Sequence, residues 1–389
     1  MTGVVAGTGR DLEIHDVHRE SLAMVVGPTK PERSVLEQLS LPAPPLTDPD
    51  FIAEFGHCLA RLRELVGSSS ARVVISPGSG TIGMESVVAS LLRPGVPVVV
   101  AATGIWGERW RKICLRQRVP VKTPLVATGQ APDLTRLEEE LADENCQALL
   151  VTHVDSSTGV RLDLAALAAL AHKHGALLLV DGISALGAET VEFDAWDVDC
   201  YLAGASKALG ASPGLALYSL SERAVDKLND RGWQPFSFAL DLAPWLPVMA
   251  ATERGEFAFF QSPASNLVMA LSEAMRLALA EGRQARVSRH ETLRELLHAG
   301  LAKLGIRPLV SAAAQRANGV TVCLLPGGVD EQELLIAAAE QGVVLQAGTL
   351  PELAGRTFRI GHMGSVNAVA IGRTLTAIEL ALDSCRPGR

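Results

Sequence analysis

CYLAGASKALGASPGLALYSLS, residues 200–221, contains a single charged side chain, Lys207. Glycines at 204, 210 and 214 surround this lysine, and the remaining residues are small, apolar or hydroxylic. Burying an unpaired ammonium is costly and favours the neutral amine, the form that condenses with an aldehyde. Lys207 is therefore a Schiff-base candidate. The alternative, a surface lysine whose neighbours happen to be apolar, is the usual case for a single lysine, and the segments upstream argue against it here.

Upstream of this stretch, apolar strands alternate with helices. Strands are predicted at 73–75, 96–103, 147–154 and 176–181, and an Ala/Leu-rich helix at about 163–174 separates the last two. Strands and helices that alternate at this spacing indicate an α/β fold with a mostly parallel, doubly wound sheet. In such sheets ligands bind beyond the carboxyl ends of the strands.

The first of these strands runs into a glycine-containing loop, Pro77-Gly78-Ser79-Gly80-Thr81, and a helix follows. Free backbone N–H groups and the helix dipole at such a junction favour a phosphate. The loop lacks the Gly-Lys-Ser/Thr of a Walker motif and the glycine spacing of a dinucleotide site. An ordinary turn remains the alternative for this loop alone. The helix is predicted to turn Ile82 toward the sheet.

Two more candidates stand just beyond strand ends. Trp106, in GIWGERW, follows the strand that ends at Thr103, where an indole either stacks on a planar ligand or plugs the edge of the core. Asp181 closes the strand ALLLVD. A buried carboxylate there needs a cation or an N–H donor as partner, although helix capping is the alternative for any single aspartate.

Composition narrows the class of protein. The 389 residues are 48% hydrophobic and 20% charged, which indicates a well-buried globular chain of about two domains. A net charge of −8 argues against nucleic acid or an anionic membrane as the main partner. Six scattered cysteines form no CxxC pair and no metal-like spacing with histidine, so we expect reduced thiols, no metal and a cytoplasmic location. No segment predicts a membrane span.

The chain is divided by pattern into three parts. Residues 1–20 lack periodicity and are predicted to be an N-terminal extension. Residues 21–281 are predicted to form the large domain, and residues 282–389 a smaller α+β domain.

Taken together, the motifs resemble one family over roughly residues 22–385. The resemblance is to the class V aminotransferases of the fold-type I pyridoxal-phosphate enzymes, in the alanine/serine–glyoxylate aminotransferase branch. The motifs that carry it are, in chain order, PGSGT, GIWGER, SSTGV, LLLVD, GASKAL, PFSFALDL, SPASNL and FRIGHMG. Several motifs in the expected order are far more specific than any one of them.

The resemblance implies roles around the ring of pyridoxal 5′-phosphate. Lys207 matches the lysine that forms the internal aldimine, and Asp181 matches the aspartate that keeps the pyridine nitrogen protonated. Ile183 matches the apolar residue on one face of the ring, and Trp106 the aromatic residue on the other. Ser156 matches a polar residue on the side of the ring's 3-oxygen.

It also implies contacts to the phosphate. Ser79, Gly80 and Thr81 match the phosphate loop. Ser206 stands where the family usually has Gln, and its shorter side chain is expected to reach the phosphate less well. Ser262 stands in the segment that the neighbouring subunit lends to the phosphate, in place of a Thr. The resemblance thus implies a homodimer with its sites at the subunit interface.

For the substrate, Arg359 matches the arginine that binds the α-carboxylate as a bidentate pair, and Gly27 resembles a glycine turn at the entrance. The implied activity is ping-pong transfer of an amino group from a small amino acid, alanine or serine, to a 2-oxo acid such as glyoxylate or pyruvate. A lyase or desulfurase, a 2-aminoethylphosphonate–pyruvate transaminase and a binding protein without catalysis are the alternatives. The combination of Lys207, Asp181 and Arg359 argues against the last of these.

Overall fold

The computed structural model describes residues 21–142 and 145–385. The predicted N-terminal extension, residues 1–20, lies outside the described residues. The strands are β1 (Leu22–Ala23), β2 (Arg72–Pro77), β3 (Val98–Ala101), β4 (Val121–Lys122), β5 (Ala148–Thr152), β6 (Val154–Asp155), β7 (Val160–Arg161), β8 (Leu177–Asp181), β9 (Cys200–Gly204), β10 (Leu215–Leu220), β11 (Arg307–Pro308), β12 (Val320–Leu324), β13 (Val343–Val344), β14 (Gln346–Ala347) and β15 (Thr357–Gly361).

The helices are α1 (Arg33–Ser40), α2 (Pro49–Leu65), α3 (Gly80–Leu91), α4 (Ile105–Arg116), α5 (Leu134–Leu141), α6 (Leu164–Lys173), α7 (Glu222–Asp230), α8 (Trp245–Glu253), α9 (Ser265–Glu281), α10 (Arg283–Lys303), α11 (Glu331–Glu340) and α12 (Ala368–Cys385).

A seven-stranded sheet organises the larger part of the chain. Its order is β2-β10-β9-β8-β5-β3-β4, and its neighbours run parallel except at β10, which is antiparallel to both β2 and β9. Every residue of β3, β5 and β9 is buried, as expected of apolar strands covered on both faces. The predicted α/β fold with a mostly parallel sheet is confirmed.

Two predicted strands are shorter than the sequence pattern indicates. The run 96–103 forms β3 only at Val98–Ala101. The run 147–154 forms β5, which ends at Thr152, and the chain then leaves the sheet in the small β6–β7 hairpin. Ile82, predicted to face the sheet, is 41% exposed, whereas Val87 and Val88 on the same helix are fully buried. The prediction for Ile82 is wrong because this residue lies in the first turn of α3, past the carboxyl end of β2.

A second sheet lies in the C-terminal part, with the antiparallel order β11-β12-β15-β14. Its apolar side chains belong to a separate core that also contains Met24, and β1 pairs with β13. The first described strand, β1, therefore packs with the C-terminal part, and the chain enters the large sheet only afterwards, at β2. The predicted domain division at residue 282 falls between α9 and α10 and stays a prediction.

Within residues 21–142 and 145–385, no helix is both long enough and apolar enough to cross a membrane. The same residues contain no group of three or more His, Cys, Asp or Glu side chains placed to hold a metal ion. The six cysteines form no disulfide bond within the described residues, and five of them are buried.

Candidate active site

The predicted site residues gather at the carboxyl edge of the large sheet. The strands β2, β3, β8 and β9 end there, and each is followed by a segment that carries predicted site residues. This convergence follows from the parallel arrangement, because parallel strands present their carboxyl ends at one edge.

The loop after β2 forms the N-terminus of α3. Ser79 caps the helix, and its Oγ accepts the N–H of Ile82 at 3.3 Å. The first N–H groups of a helix lack intrahelical acceptors, so Gly80 and Thr81 present donors at the positive end of the helix dipole. A Cβ on Gly80 would overlap the side chain of Ile183, which places the loop directly beside this apolar residue. The geometry suits an anion held next to an apolar surface.

Trp106 lies in the first turn of α4, and its orientation is fixed from two sides. Its Nε1–H donates to Ser156 Oγ at 2.8 Å, and its backbone N–H donates to Asp155 Oδ2 at 3.2 Å. Asp155 also accepts the N–H of Ser157 at 2.9 Å and is completely buried. The structure therefore brings Trp106 and Ser156 together, and the Ser156 hydroxyl proton is left to donate elsewhere.

Asp181 ends β8 as a buried carboxylate with 3% exposure. Its Oδ1 accepts the N–H of Ile183 at 2.9 Å. In the described part of the chain, no Lys, Arg or His nitrogen lies within 4 Å of the carboxylate. Burial, with a contribution from the charge of Asp155, raises the pKa of Asp181 to about 7, against the charges of Lys207 and Arg109. A carboxylate in this state gains from any cationic ring nitrogen placed beside it.

Lys207 follows β9 and is half-buried. Its Nζ donates to the backbone carbonyl of Val26, and its own carbonyl accepts the hydroxyl of Thr29 at 2.6 Å. Burial lowers the pKa of Lys207 to about 8; the charge of Arg359 adds to this effect, and Asp181 opposes it. Near neutral pH a much larger share of this amine is uncharged than for an ordinary lysine.

Position 27, where the backbone passes close to the Lys207 side chain, accepts only glycine. Its φ is +129°, and a Cβ at this position would lie 2.6 Å from Lys207 Nζ. Any larger residue would both strain the backbone and displace the amine. Sequence reasoning placed Gly27 at the substrate entrance; the structure adds that it contacts the lysine itself.

Arg359 approaches the site from the second sheet, on β15. Its Nε donates to the Ala347 carbonyl at 2.9 Å, and no other hydrogen bond of the guanidinium is found among the described residues. Burial lowers its pKa, while Asp155 and Glu331 act in the opposite direction. Arg359 is connected to the lysine through Gln346, its cross-strand partner on β14. The Oε1 of Gln346 accepts the N–H of Val26 at 2.8 Å, and Val26 is the residue whose carbonyl accepts Lys207 Nζ.

Helix α10 connects the two halves of the site. Arg286 donates to the carbonyl of Ala208, the residue after Lys207, at 2.6 Å. One turn later Arg289 donates to the carbonyl of Gly364, beyond β15, at 3.0 Å. Glu281 pairs with both arginines, at 2.7 and 2.6 Å. This group of ion pairs ties the lysine turn to the segment that carries Arg359.

The family model for aminotransferase class V matches residues 49–354. The chain belongs to the class-V aminotransferase family. It is 30% identical over 368 residues to an uncharacterized aminotransferase of Methanocaldococcus jannaschii, a match that covers 93% of each chain. It is 30% identical to an alanine–glyoxylate aminotransferase of Oryctolagus cuniculus, with 79% of each chain covered. A solved alanine–glyoxylate aminotransferase from Nostoc sp. superimposes with a TM-score of 0.88 at 28% identity, over 93% of this chain and 95% of that one.

Two of the predicted site residues of this aminotransferase, Ser262 and Ser206, form no side-chain hydrogen bond with the other predicted site residues in the described chain. Ser262 is exposed, and none of its described contacts reaches the loop at 79–81. Ser206 is bonded through its backbone carbonyl to the N–H of Thr29 at 3.0 Å, but its hydroxyl has no hydrogen bond within the described residues. Their predicted roles toward a phosphate stay predictions.

Two residues of this aminotransferase site were missed from the sequence. Asp155 orients the start of α4, and a carboxylate at a strand end preceding SSTGV was the available signal. Arg109 lies one helical turn after Trp106, with its guanidinium carbon 4.3 Å from the indole centroid. The i, i+3 spacing on α4 was the signal for this pair.

Proposed function

We propose that this class-V aminotransferase uses pyridoxal 5′-phosphate to move an amino group from a small amino acid, alanine or serine, to a 2-oxo acid such as glyoxylate or pyruvate. The observation that supports the proposal is that Lys207 and Asp181 lie at the carboxyl edge of the large sheet and that Arg359, on the second sheet, is electrostatically coupled to Lys207. An amine, a buried carboxylate and a guanidinium with available Nη groups are the three groups that this chemistry needs. Alanine and glyoxylate also appear in the names of the rabbit and Nostoc relatives, and serine comes from the sequence resemblance.

The donor set fits each part of the cofactor. The buried carboxylate of Asp181, without a cation within 4 Å in the described chain, suits a protonated ring nitrogen. Trp106 and Ile183 offer an aromatic and an aliphatic surface for the ring faces. The N-terminus of α3, beside Ile183, suits the phosphate. Lys207, with a pKa of about 8, supplies the amine for the aldehyde.

When bound, pyridoxal phosphate supplies an aldehyde that condenses with amines and a ring that accepts the electron pair released at the substrate Cα. Lys207 would hold the cofactor through its Nζ. With substrate bound, the same Nζ would take the proton from the substrate Cα and deliver a proton at the cofactor C4′. Asp181 would keep the ring nitrogen protonated, and Trp106 with Ile183 would exclude water from the ring faces.

Arg359 sets the substrate's orientation. Because its Nε is bonded to the Ala347 carbonyl, the guanidinium is fixed while both Nη groups remain available for the two oxygens of an α-carboxylate. A carboxylate bound there directs the Cα of an amino acid toward Lys207, and the same contact accepts the carboxylate of a 2-oxo acid. One site can thus serve both halves of a ping-pong reaction.

We further propose a homodimer in which Ser262 completes the phosphate site of the other subunit. Ser262 and its neighbour Phe259, 59% exposed, lie on the surface of the single chain. A segment that is exposed here and matches the subunit-bridging segment of the family supports this assignment. The phosphate would then gain a hydroxyl donor that one chain alone does not provide.

The half-reaction tests the proposed function. We expect L-alanine, added to the cofactor-loaded protein without a 2-oxo acid, to remove the visible band of the lysine-linked cofactor and to release one equivalent of pyruvate per site. Glyoxylate should then restore the band and yield glycine. With L-serine, release of ammonia and pyruvate while the band persists would instead identify a lyase. Loss of the band with 2-aminoethylphosphonate, but not with L-alanine or L-serine, would identify the phosphonate transaminase.

Arg359→Lys should raise the alanine concentration needed for half-saturation by about 10- to 100-fold and change the limiting rate less, because a lysine provides a charge without the planar fork. The measurement is the rate of band loss against alanine concentration. Arg356→Lys, an exposed arginine three residues earlier, is the matched control. An unchanged alanine dependence in Arg359→Lys would remove this arginine from the substrate site.

A further inference from the structure

Arg109 lies where several predicted cofactor contacts meet. Its Nη1 donates to Thr81 Oγ1 in the phosphate loop at 2.7 Å. Its guanidinium carbon stands 4.3 Å from the centroid of the Trp106 indole. Burial lowers the pKa of Arg109, and the charge of Asp181 opposes this effect, so the side chain also senses the carboxylate. In the described chain, no Asp or Glu oxygen lies within 4 Å of this guanidinium.

We infer that Arg109 is a ligand of the cofactor phosphate, an inference that rests on the proposed function. The α3 N-terminus offers the phosphate backbone N–H groups and hydroxyls, all of them neutral. A phosphate ester carries close to two negative charges near pH 7. Arg109 is the cation whose side chain already contacts that loop, through the hydroxyl of Thr81. Its planar fork matches phosphate oxygens in the bidentate manner that guanidinium groups favour.

Arg109 also lies in the surroundings proposed for the cofactor ring. Its guanidinium is stacked on Trp106, and the charge of Asp181 acts on its pKa although the two groups are more than 4 Å apart. Asp181 would be the partner of the protonated ring nitrogen of a cofactor stacked on the indole. Arg109 would then leave the indole, and its guanidinium, already bonded to the Thr81 hydroxyl in the phosphate loop, would contact the phosphate. Neither Asp181 nor Arg109 has an oppositely charged partner within 4 Å in the described chain, and binding would give each of them one, the ring nitrogen and the phosphate.

The test compares two aldehydes that differ only in the phosphate. Protein freed of cofactor is titrated with pyridoxal 5′-phosphate and with pyridoxal, and binding is followed by the absorbance of the bound aldehyde. Arg109→Gln should weaken pyridoxal phosphate binding by about 10- to 100-fold, the range of a charge-assisted contact, and change pyridoxal binding by less than about threefold. Inorganic phosphate should compete with pyridoxal phosphate in the unaltered protein and less well in the variant.

Arg111→Gln is the matched control. Arg111 lies on the same helix two residues later and pairs with Glu108, at 2.6 Å, away from the loop. This variant should bind both aldehydes as the unaltered protein does. Equal loss of affinity for both aldehydes in Arg109→Gln would mean that Arg109 only supports Trp106, and unchanged pyridoxal phosphate binding would also overturn the inference. If the unaltered protein binds no pyridoxal phosphate at all, the proposed function fails together with it.

Discussion

Lys207→Ala should lower turnover by at least about 10³-fold and abolish the visible band of the lysine-linked cofactor. The structure gives the reason. Lys207 is the amine coupled electrostatically to both Asp181 and Arg359, and its lowered pKa of about 8 makes it an available nucleophile and base. The measurements are the absorbance of the loaded protein and the rate of pyruvate release from L-alanine.

Two controls separate chemistry from folding. Lys30→Ala removes an exposed lysine three residues after Gly27 and should leave both the band and the rate unchanged. Added methylamine should partly restore the rate of Lys207→Ala, because a small amine can carry the proton that Nζ no longer moves. If Lys207→Ala retained the band or turned over normally, the central assignment would be wrong.

The parts of this site that sequence reasoning found share a physical cause. Lys207 and Asp181 are charged residues inside apolar runs, and burying a charge costs free energy unless the charge is paired or neutralised. Asp181 ends β8 and Lys207 follows β9, and both strands are buried in the sheet. Their sequences are therefore continuous apolar stretches, from which the α/β fold could be predicted. The resemblance added residues such as Ile183 and Arg359, whose surroundings in the sequence are unremarkable.

The parts that sequence reasoning missed depend on contacts between distant segments. Asp155 holds the backbone of Trp106, 49 residues away, and Arg109 meets Thr81, 28 residues away. The periodicity of a sequence gives information about one helix or strand at a time. The two residues of each pair lie on different elements, so periodicity could not predict their contact. Ile82 fits the helical pattern of α3, yet it lies in the first turn, where the sheet no longer covers it. For Ser262, the proposed contact needs a second chain.

The electrostatic state of the site was also beyond sequence reasoning. The sequence indicated that a carboxylate at position 181 needs a partner, but only the structure places Asp155 and Arg109 near it. These neighbours act in opposite directions, and burial decides the outcome by raising the pKa of Asp181 to about 7. The unliganded protein therefore holds a carboxylate that is poised between its two protonation states near neutral pH.

Asp181→Asn should slow the half-reaction with L-alanine by about 10²- to 10³-fold, the usual loss when one preorganised charge contact is removed from a reacting centre. Asparagine has nearly the same shape, and its Oδ1 can still accept the N–H of Ile183. It cannot, however, hold a proton on the ring nitrogen, so the ring would accept electrons from the substrate Cα less readily. The rate of pyruvate release in a single turnover measures this loss.

Asp199→Asn is the matched control, because Asp199 is an equally buried carboxylate near the other end of β8 and β9. Asp199 is paired with Arg223 at 2.8 Å and bonded to His172 at 2.8 Å, so its replacement removes the buried one of the two carboxylates that Arg223 pairs with and should lower the thermal midpoint while the half-reaction rate stays normal. Asp181→Asn should show the reverse: a slow half-reaction with an equal or higher midpoint in the cofactor-free protein, since it removes a buried carboxylate that has no cation within 4 Å in the described chain. A normal half-reaction rate in Asp181→Asn would show that this carboxylate does not control the ring nitrogen.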